Sequence, residues 1–340
     1  MREFLPEIDG WLAAGKPFSI ATVVHTWGSA PRPVGTMMCI GPQQEILGSV
    51  SGGCVEGAIL QAATDMQAGG GAQLLTFGVS DNDAWSVGLT CGGTIGIFLE
   101  KSFAGSEPEL WNEWRNCLSD NRGCLLLTPI DDAEPTHLLV RPDGAVTGLP
   151  ALPGLPEHAV RAYRERRSQV VEIAGKRWFI RVFPPKLQLF IVGAAHAAAE
   201  LVHLARYFDF ETIVIDPRSV FAHKTYFPTP PDRLLTDYPA EALPAFRLDA
   251  YAFAVVMAHD PKIDDQALEL LLRSDVAYIG ALSSKASHER RRERLLAAGF
   301  STAELDRIHA PVGIPIRSRT AREIALSIVA QLIAVKNAYL

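Results

Sequence analysis

Two glycine–cysteine turns are the residues best suited to chemistry in this chain. The first is Ser51-Gly52-Gly53-Cys54-Val55-Glu56-Gly57 and the second Gly88-Leu89-Thr90-Cys91-Gly92-Gly93. Paired glycines reach positive φ and let a backbone approach a ligand closely. Each pair carries a thiol, a soft and polarizable donor. The pattern describes a pocket for an anionic ligand with sulfur or metal chemistry. The plainer alternative is tight turns with buried, inert thiols. Two such motifs in one domain weigh towards a site.

The elements around the turns must position them. Residues 45–50 predict a strand, and Val55 to Gln67 a helix with Ile59, Leu60, Ala63 and Met66 on one face. Cys54 then sits at or just before a helix start, where the partial positive charge favours a thiolate. Open amides of Gly52, Gly53 and Cys54 are expected to be able to cradle a phosphate. Cys91 precedes the strand Thr94 to Leu99 and lies on a loop, so the dipole argument stops at Cys54. Upstream, Phe18 to Val24 predicts a strand, followed by a breaker-rich loop from His25 to Gly35 that carries Arg32.

Composition bounds the rest. A chain of 340 residues with 48% apolar and 21% charged residues can bury two cores. A net charge of −6 argues against a nucleic-acid surface. No apolar run approaches a membrane span, and Met1-Arg2-Glu3-Phe4 opens no signal-peptide pattern. A cytoplasmic protein is expected. Five cysteines without framework spacing argue against structural disulfides. The absence of Cys-x-x-Cys, His-x-x-x-His and His-Glu-x-x-His argues against a permanent zinc site.

Pro184-Pro185 is the predicted boundary, giving domains 1–184 and 185–340. The expected architecture is α/β: an N-terminal mixed α/β domain, then a Rossmann-like, doubly wound parallel sheet. In the second half the predicted strands are 187–192, 212–215, 251–257 and 276–279. Their carboxyl ends carry Gly193 to His196, Asp216-Pro217-Arg218, His259-Asp260 and Gly280 to Ser284. Asp216 falls where a ribose ligand is expected after the Gly193 turn. Ala195 and Ala198 replace the second and third fingerprint glycines, which speaks for the fold more than for nicotinamide. Arg218 is suited to a bidentate phosphate contact or a surface salt bridge. Arg290-Arg291-Arg292 and Arg294 read as a solvated helix face. The last helix opens at Thr320 with Glu323 as a capping box, and its Ile324, Ile328, Leu332 and Val335 face reads as core.

The motifs Ala21-Thr22-Val23-Val24, Gly28 to Gly35, Gly48 to Glu56, Gly88 to Gly93, Gly193 to His196, Asp216-Pro217-Arg218, Tyr278 to Ala281 and Glu323 to Ile328 together carry a resemblance. The chain resembles the XdhC/CoxI family, accessory proteins of molybdenum hydroxylases such as xanthine dehydrogenase. The resemblance implies a chaperone and maturation factor, not an enzyme in the strict sense. Such a protein binds the molybdenum cofactor (molybdopterin), a pterin dithiolene with a phosphate. A cysteine desulfurase partner helps replace an oxo ligand by sulfido, and the hydroxylase client receives the cofactor. Homodimers are implied too. The resemblance assigns cofactor binding to Arg32, Ser51, Gly52, Gly53, Cys54, Glu56, Cys91, Gly92 and Gly93. In the second half the matching motifs add Gly193, His196, Asp216 and Arg218, and placement directly after a hydrophobic strand adds His259 and Asp260 as candidates. Cys54 or Cys91 would touch molybdenum or relay sulfur. The chain departs from the family at Ala195, Ser283-Ser284, Pro315 and Arg317, which leaves nucleotide binding by the Rossmann half open. The competing readings are an NAD(P)-dependent oxidoreductase and a thiol-based sulfurtransferase.

Overall fold

The run from Ile20 to Val24, β-branched except at Ala21, becomes the centre of the first sheet, with its side chains buried. The computed structural model describes residues 1–29, 32–78, 93–148, 152–218, 220 and 227–339. Cys91, Gly92 and the acidic stretch Asp81-Asn82-Asp83 lie outside the described residues. Two units divide the chain, Met1–Pro185 and Lys186–Leu340.

In the first unit, helix α1 (Leu5–Ala13) precedes β1 (Ser19–Trp27), β2 (Met37–Ile40) and β3 (Ile46–Gly48). Helix α2 (Glu56–Gln67), β4 (Gln73–Phe77) and β5 (Thr94–Lys101) follow. Their antiparallel order is β3-β2-β1-β5-β4. The apolar face of α2, with Ile59, Ala63 and Met66, packs on Ile95, Ile97 and Leu99 of β5. The loop expected from His25 instead begins after Trp27. A bulge between Val23 and His25 lets the strand continue, pairing His25, Thr26 and Trp27 with Gly96, Ile95 and Thr94. That ladder satisfies amides that a loop would leave to solvent.

The second sheet of this unit takes α3 (Pro108–Ser119), β6 (Cys124–Pro129), β7 (Leu138–Val140), β8 (Val146–Thr147), α4 (Leu155–Arg164), β9 (Gln169–Ile173) and β10 (Lys176–Phe183). It is antiparallel, in the order β8-β7-β6-β10-β9. Trp111, Trp114, Phe103 and Phe183 pack edge to face beneath it. Cys39, Cys117 and Cys124 are buried in the same cluster, as small apolar side chains.

The second unit alternates strand and helix. It comprises β11 (Leu187–Val192), α5 (His196–Ala205), β12 (Phe210–Ile215), β13 (Arg233–Leu235), α6 (Pro239–Ala242), β14 (Ala252–Val256) and α7 (Pro261–Leu272). Then come β15 (Tyr278–Ala281), α8 (Lys285–Ala297), α9 (Thr302–Leu305), β16 (Ile308–His309) and α10 (Ala321–Tyr339). All pairings are parallel, and the order is β13-β12-β11-β14-β15-β16. Counted within the unit this is the doubly wound dinucleotide order, with its switch point between β11 and β14. Ile263, Ala267 and Leu271 of α7 cover one face, and Leu201, Ile328 and Leu332 of α5 and α10 the other.

Three local differences have simple causes. Strand β15 ends at Ala281, beyond the expected Ile279, because Gly280 pairs with Val255 in the ladder. The Val312 side chain fills the space where its Cβ would stand. Strands β13 and β16 are too short to show a period in sequence. The capping box on α10 forms as expected: Thr320 N–H donates to Glu323 Oε2 at 2.9 Å, and Glu323 N–H to Thr320 Oγ1 at 3.3 Å.

At the switch point Gly193 has φ +103°, and a Cβ there would lie 2.5 Å from the backbone of Ala258. Both conformation and space therefore require glycine. Gly193→Ala is expected to lower stability by about 2 kcal/mol. Urea unfolding of the full chain reads this; an unchanged midpoint would mean that the two loops move apart freely.

Candidate functional site

The first glycine–cysteine turn is built around a carboxylate. Glu56, the first residue of α2, folds back over the turn that precedes it. Its Oε1 accepts from Ser51 N–H at 2.9 Å, Gly52 N–H at 3.2 Å and the Ser49 hydroxyl at 2.6 Å. Its Oε2 accepts from Gly53 N–H at 2.9 Å, Val55 N–H at 3.3 Å and the Ser51 hydroxyl. Ser51 Oγ in turn accepts from Cys54 N–H at 2.9 Å and Val55 N–H at 3.0 Å. Gly52 and Gly53 have φ of +82° and +116°, with open space where a Cβ would stand. They are glycines for conformation, so that successive amides can converge.

The expected open phosphate cradle is therefore corrected. The amides of Gly52 and Gly53 are taken by Glu56, and that of Cys54 by Ser51. The chain supplies its own anion where a phosphate was expected. Burial works against the charged form of Glu56, but the Ser49 and Ser51 hydroxyls and the backbone amides outweigh it and hold the carboxyl at about 2. The same negative charge faces the start of α2, so the helix does not present Cys54 with an uncompensated positive end.

Cys54 is half-buried, and its apolar side packs on the cluster that holds Val50, Val55 and Ile95. Among the described residues it is the one cysteine with exposed surface. Ile95 belongs to β5, whose approach passes through Gly93. A Cβ on Gly93 would lie 2.7 Å from Trp27 O and 2.9 Å from Ser29 O. Gly93 thus pins the end of the second turn against the loop that leads to Arg32, an exposed side chain. The remainder of that turn, Gly88 to Gly92 with Cys91, lies outside the described residues.

In the second unit, Asp216 is fully buried at the end of β12. Its carboxylate accepts from Arg218 Nε at 2.9 Å, Arg218 Nη2 at 2.7 Å and Ala194 N–H at 2.7 Å. Arg218 Nη1 also donates to Ala258 O at 3.2 Å. Burial opposes ionisation of Asp216, and the Arg218 fork overcomes it, holding the carboxyl low. The acid expected on a ribose is thus engaged within the protein, and the arginine expected on a phosphate holds it. Ala195 adopts φ −67°, so no glycine conformation is needed there. His196 is exposed, 3.8 Å from Glu200. Asp260 caps α7 by accepting from Lys262 N–H at 2.9 Å, and His259 beside it is exposed at φ +59°.

Two buried charge clusters escaped the sequence reading. His137 is sandwiched between carboxylates: Nδ1 meets Glu107 Oε2 at 2.5 Å and Nε2 meets Glu100 Oε2 at 2.9 Å. Its ring stacks on Phe103 at 4.2 Å. Nothing in sequence brings residues 100, 107 and 137 together. The second cluster corrects the solvated face expected on α8. Arg291 is buried with His288 and Leu295, and pairs with buried Asp264 at 3.2 Å. A usable signal did exist: residues 288, 291 and 295 share one helical stripe with an apolar member. Among the described residues no group of three or more His, Cys, Asp or Glu side chains could hold a metal ion. No described helix is long and apolar enough to cross a membrane.

Known proteins place this architecture. Residues 11–78 match the family described as XdhC and CoxI, and residues 189–332 match the XdhC Rossmann domain. A Bacillus subtilis relative, named as a probable xanthine dehydrogenase subunit, is 26% identical over 99% of this chain and 98% of its own length. The Escherichia coli molybdenum cofactor insertion chaperone PaoD is 25% identical over 96% of this chain and 85% of its own. A crystal structure described as a xanthine dehydrogenase from Bacillus halodurans superposes with a TM-score of 0.77 at 26% identity, covering 98% of this chain and 95% of that one. The glycine–cysteine turn and the Rossmann unit thus fall within two matched segments of one family, and the chain belongs to the XdhC and CoxI family.

Proposed function

We propose that this protein binds the molybdenum cofactor and supports its sulfuration and insertion into a molybdenum hydroxylase of the xanthine dehydrogenase type. The observation that carries the reading is the half-exposed Cys54 thiol on a turn locked by Glu56. A thiol held in one place suits contact with a soft metal or a sulfur relay. The cofactor would bring its own dithiolene sulfurs, so the protein would add a positioned donor and a rigid edge. Arg32 and Gly93 border the same loop, and Cys91 would be the second thiol. The likeness to PaoD supports the assignment. A cysteine desulfurase would supply the sulfur, a homodimer would be the working form, and the protein would act as a maturation factor. The Rossmann unit gives the oxidoreductase reading no support, because Asp216 is already held by Arg218.

Anaerobic titration of the full chain with purified molybdenum cofactor tests this. The parent is expected to bind, and Cys54→Ala to weaken binding about tenfold or more. Absence of binding by the parent would remove the function. Cys54→Ala and Cys91→Ala proteins that both bind and support sulfuration normally would remove the thiol role.

A further inference from the structure

The second unit holds a cavity that the proposed cofactor chemistry does not use. It encloses about 250 Å³ at the carboxyl ends of β14 and β15, beside the start of α8. Arg291 lines it and is only 5% exposed. One of its nitrogens, Nη2, donates to Asp264. Among the described residues the other two, Nε and Nη1, are buried without a partner, and so is the hydroxyl of Ser283 on the same wall.

Each buried donor left unmade costs about 1–3 kcal/mol, so this arrangement needs a reason. Charge points the same way. Arg290, Arg291 and Arg294 line the cavity against one acid, Asp264. Arg294 is engaged by Asp265 through bonds of 2.6 and 3.0 Å. Among the described residues the Arg290 guanidinium reaches only the Ser287 hydroxyl, at 3.4 Å. Burial also pushes the Asp264 carboxyl up, towards its neutral form. Surplus positive charge, unpartnered guanidinium N–H groups, a free hydroxyl and the amino end of a thirteen-residue helix thus converge.

We propose that this cavity binds a tetrahedral oxyanion, the phosphoryl group of a phosphate ester. Arg291 Nε and Nη1 supply the central donors, the Ser283 hydroxyl a third, and Arg290 closes over the anion. The site lies on the β15 side of the switch point, and its lining does not include the Gly193 turn, where a dinucleotide phosphate would ordinarily bind. It goes beyond cofactor handling by the first unit and stands or falls separately from it.

Calorimetric titration of the full chain tests it, with inorganic phosphate, pyrophosphate, AMP and adenosine as probes at fixed ionic strength. Binding of the phosphate-bearing probes and not of adenosine is expected. AMP tighter than inorganic phosphate would identify an ester, and pyrophosphate tightest a diphosphate end. Arg291→Gln, Arg290→Ala and Ser283→Ala are each expected to weaken binding about tenfold or more. Arg290 is exposed and Ser283 has no partner to lose among the described residues, so these two variants read the site even if Arg291→Gln fails to fold. No binding above that of potassium chloride, or variants that bind as the parent does, would overturn the proposal.

Discussion

Glu56→Gln is expected to flatten the acid side of the stability profile and to lower stability near neutral pH by about 3 kcal/mol. The carboxyl stands at about 2 in the folded chain against an ordinary value of 4.5. A depressed folded value means that the unfolded chain binds the proton more tightly. The contribution of Glu56 is therefore complete above pH 4.5 and is lost as pH falls towards 2. Structurally, the loss is that of an acceptor shared by the amides of Ser51, Gly52, Gly53 and Val55. A glutamine keeps one acceptor oxygen but turns an NH₂ towards those same donors. Urea unfolding of parent and variant from pH 3 to 7 makes the comparison. Equal losses in both would mean that Glu56 does not hold the turn. The variant also releases Cys54 from a fixed backbone, so alkylation of that thiol, followed by peptide mass, is expected to speed up severalfold.

The doubly wound unit was legible because buried parallel strands write themselves as short apolar runs. Leu187 to Val192 has one polar residue, Gln188, and it alone of the six is only partly buried. What stayed hidden there were β13 and β16, whose three and two residues carry no period. The site was legible in kind but not in wiring. Glycine at 52 and 53 correctly indicated positive φ, since nothing else adopts it so readily. That the converging amides serve Glu56 was not deducible from composition, although the glutamate stands three residues after Gly53. Asp216 shows the same limit. Its position announced a ribose ligand, yet Arg218 two residues later can fold back as a fork, and the structure has it do so. Local competition between an internal partner and an external ligand leaves no periodic trace. Arg291 is hidden for a different reason: a run of neighbouring arginines suggests a solvated face, while helical phase turns residue 291 inward with 288 and 295.

The strongest single dependence on one side chain is expected at His137. Both ring nitrogens face carboxylate oxygens, which accept and cannot donate when ionised. The geometry therefore asks for an imidazolium between Glu100 and Glu107. Burial works against that charge, but the two carboxylates, Glu100 foremost, overcome it and raise the ring to about 9 from 6.5. A raised folded value stabilises the fold fully below pH 6.5, and the contribution is lost as pH climbs through 9. The size is about 3 kcal/mol across that window. His137→Gln removes the cation of the cluster and leaves carboxylates at 4% and 15% exposure facing each other. Breaking a buried pair in this way costs about 3–5 kcal/mol. Near pH 6.5 the variant is thus expected to unfold at markedly lower urea than the parent. The gap should narrow towards pH 9, because deprotonation removes from the parent what the substitution has already taken. Titrating groups remote from the cluster cancel in the difference between the two chains. A gap that stays constant from pH 6.5 to 9 would mean that the ring is neutral in the folded protein and that one carboxyl carries the proton instead.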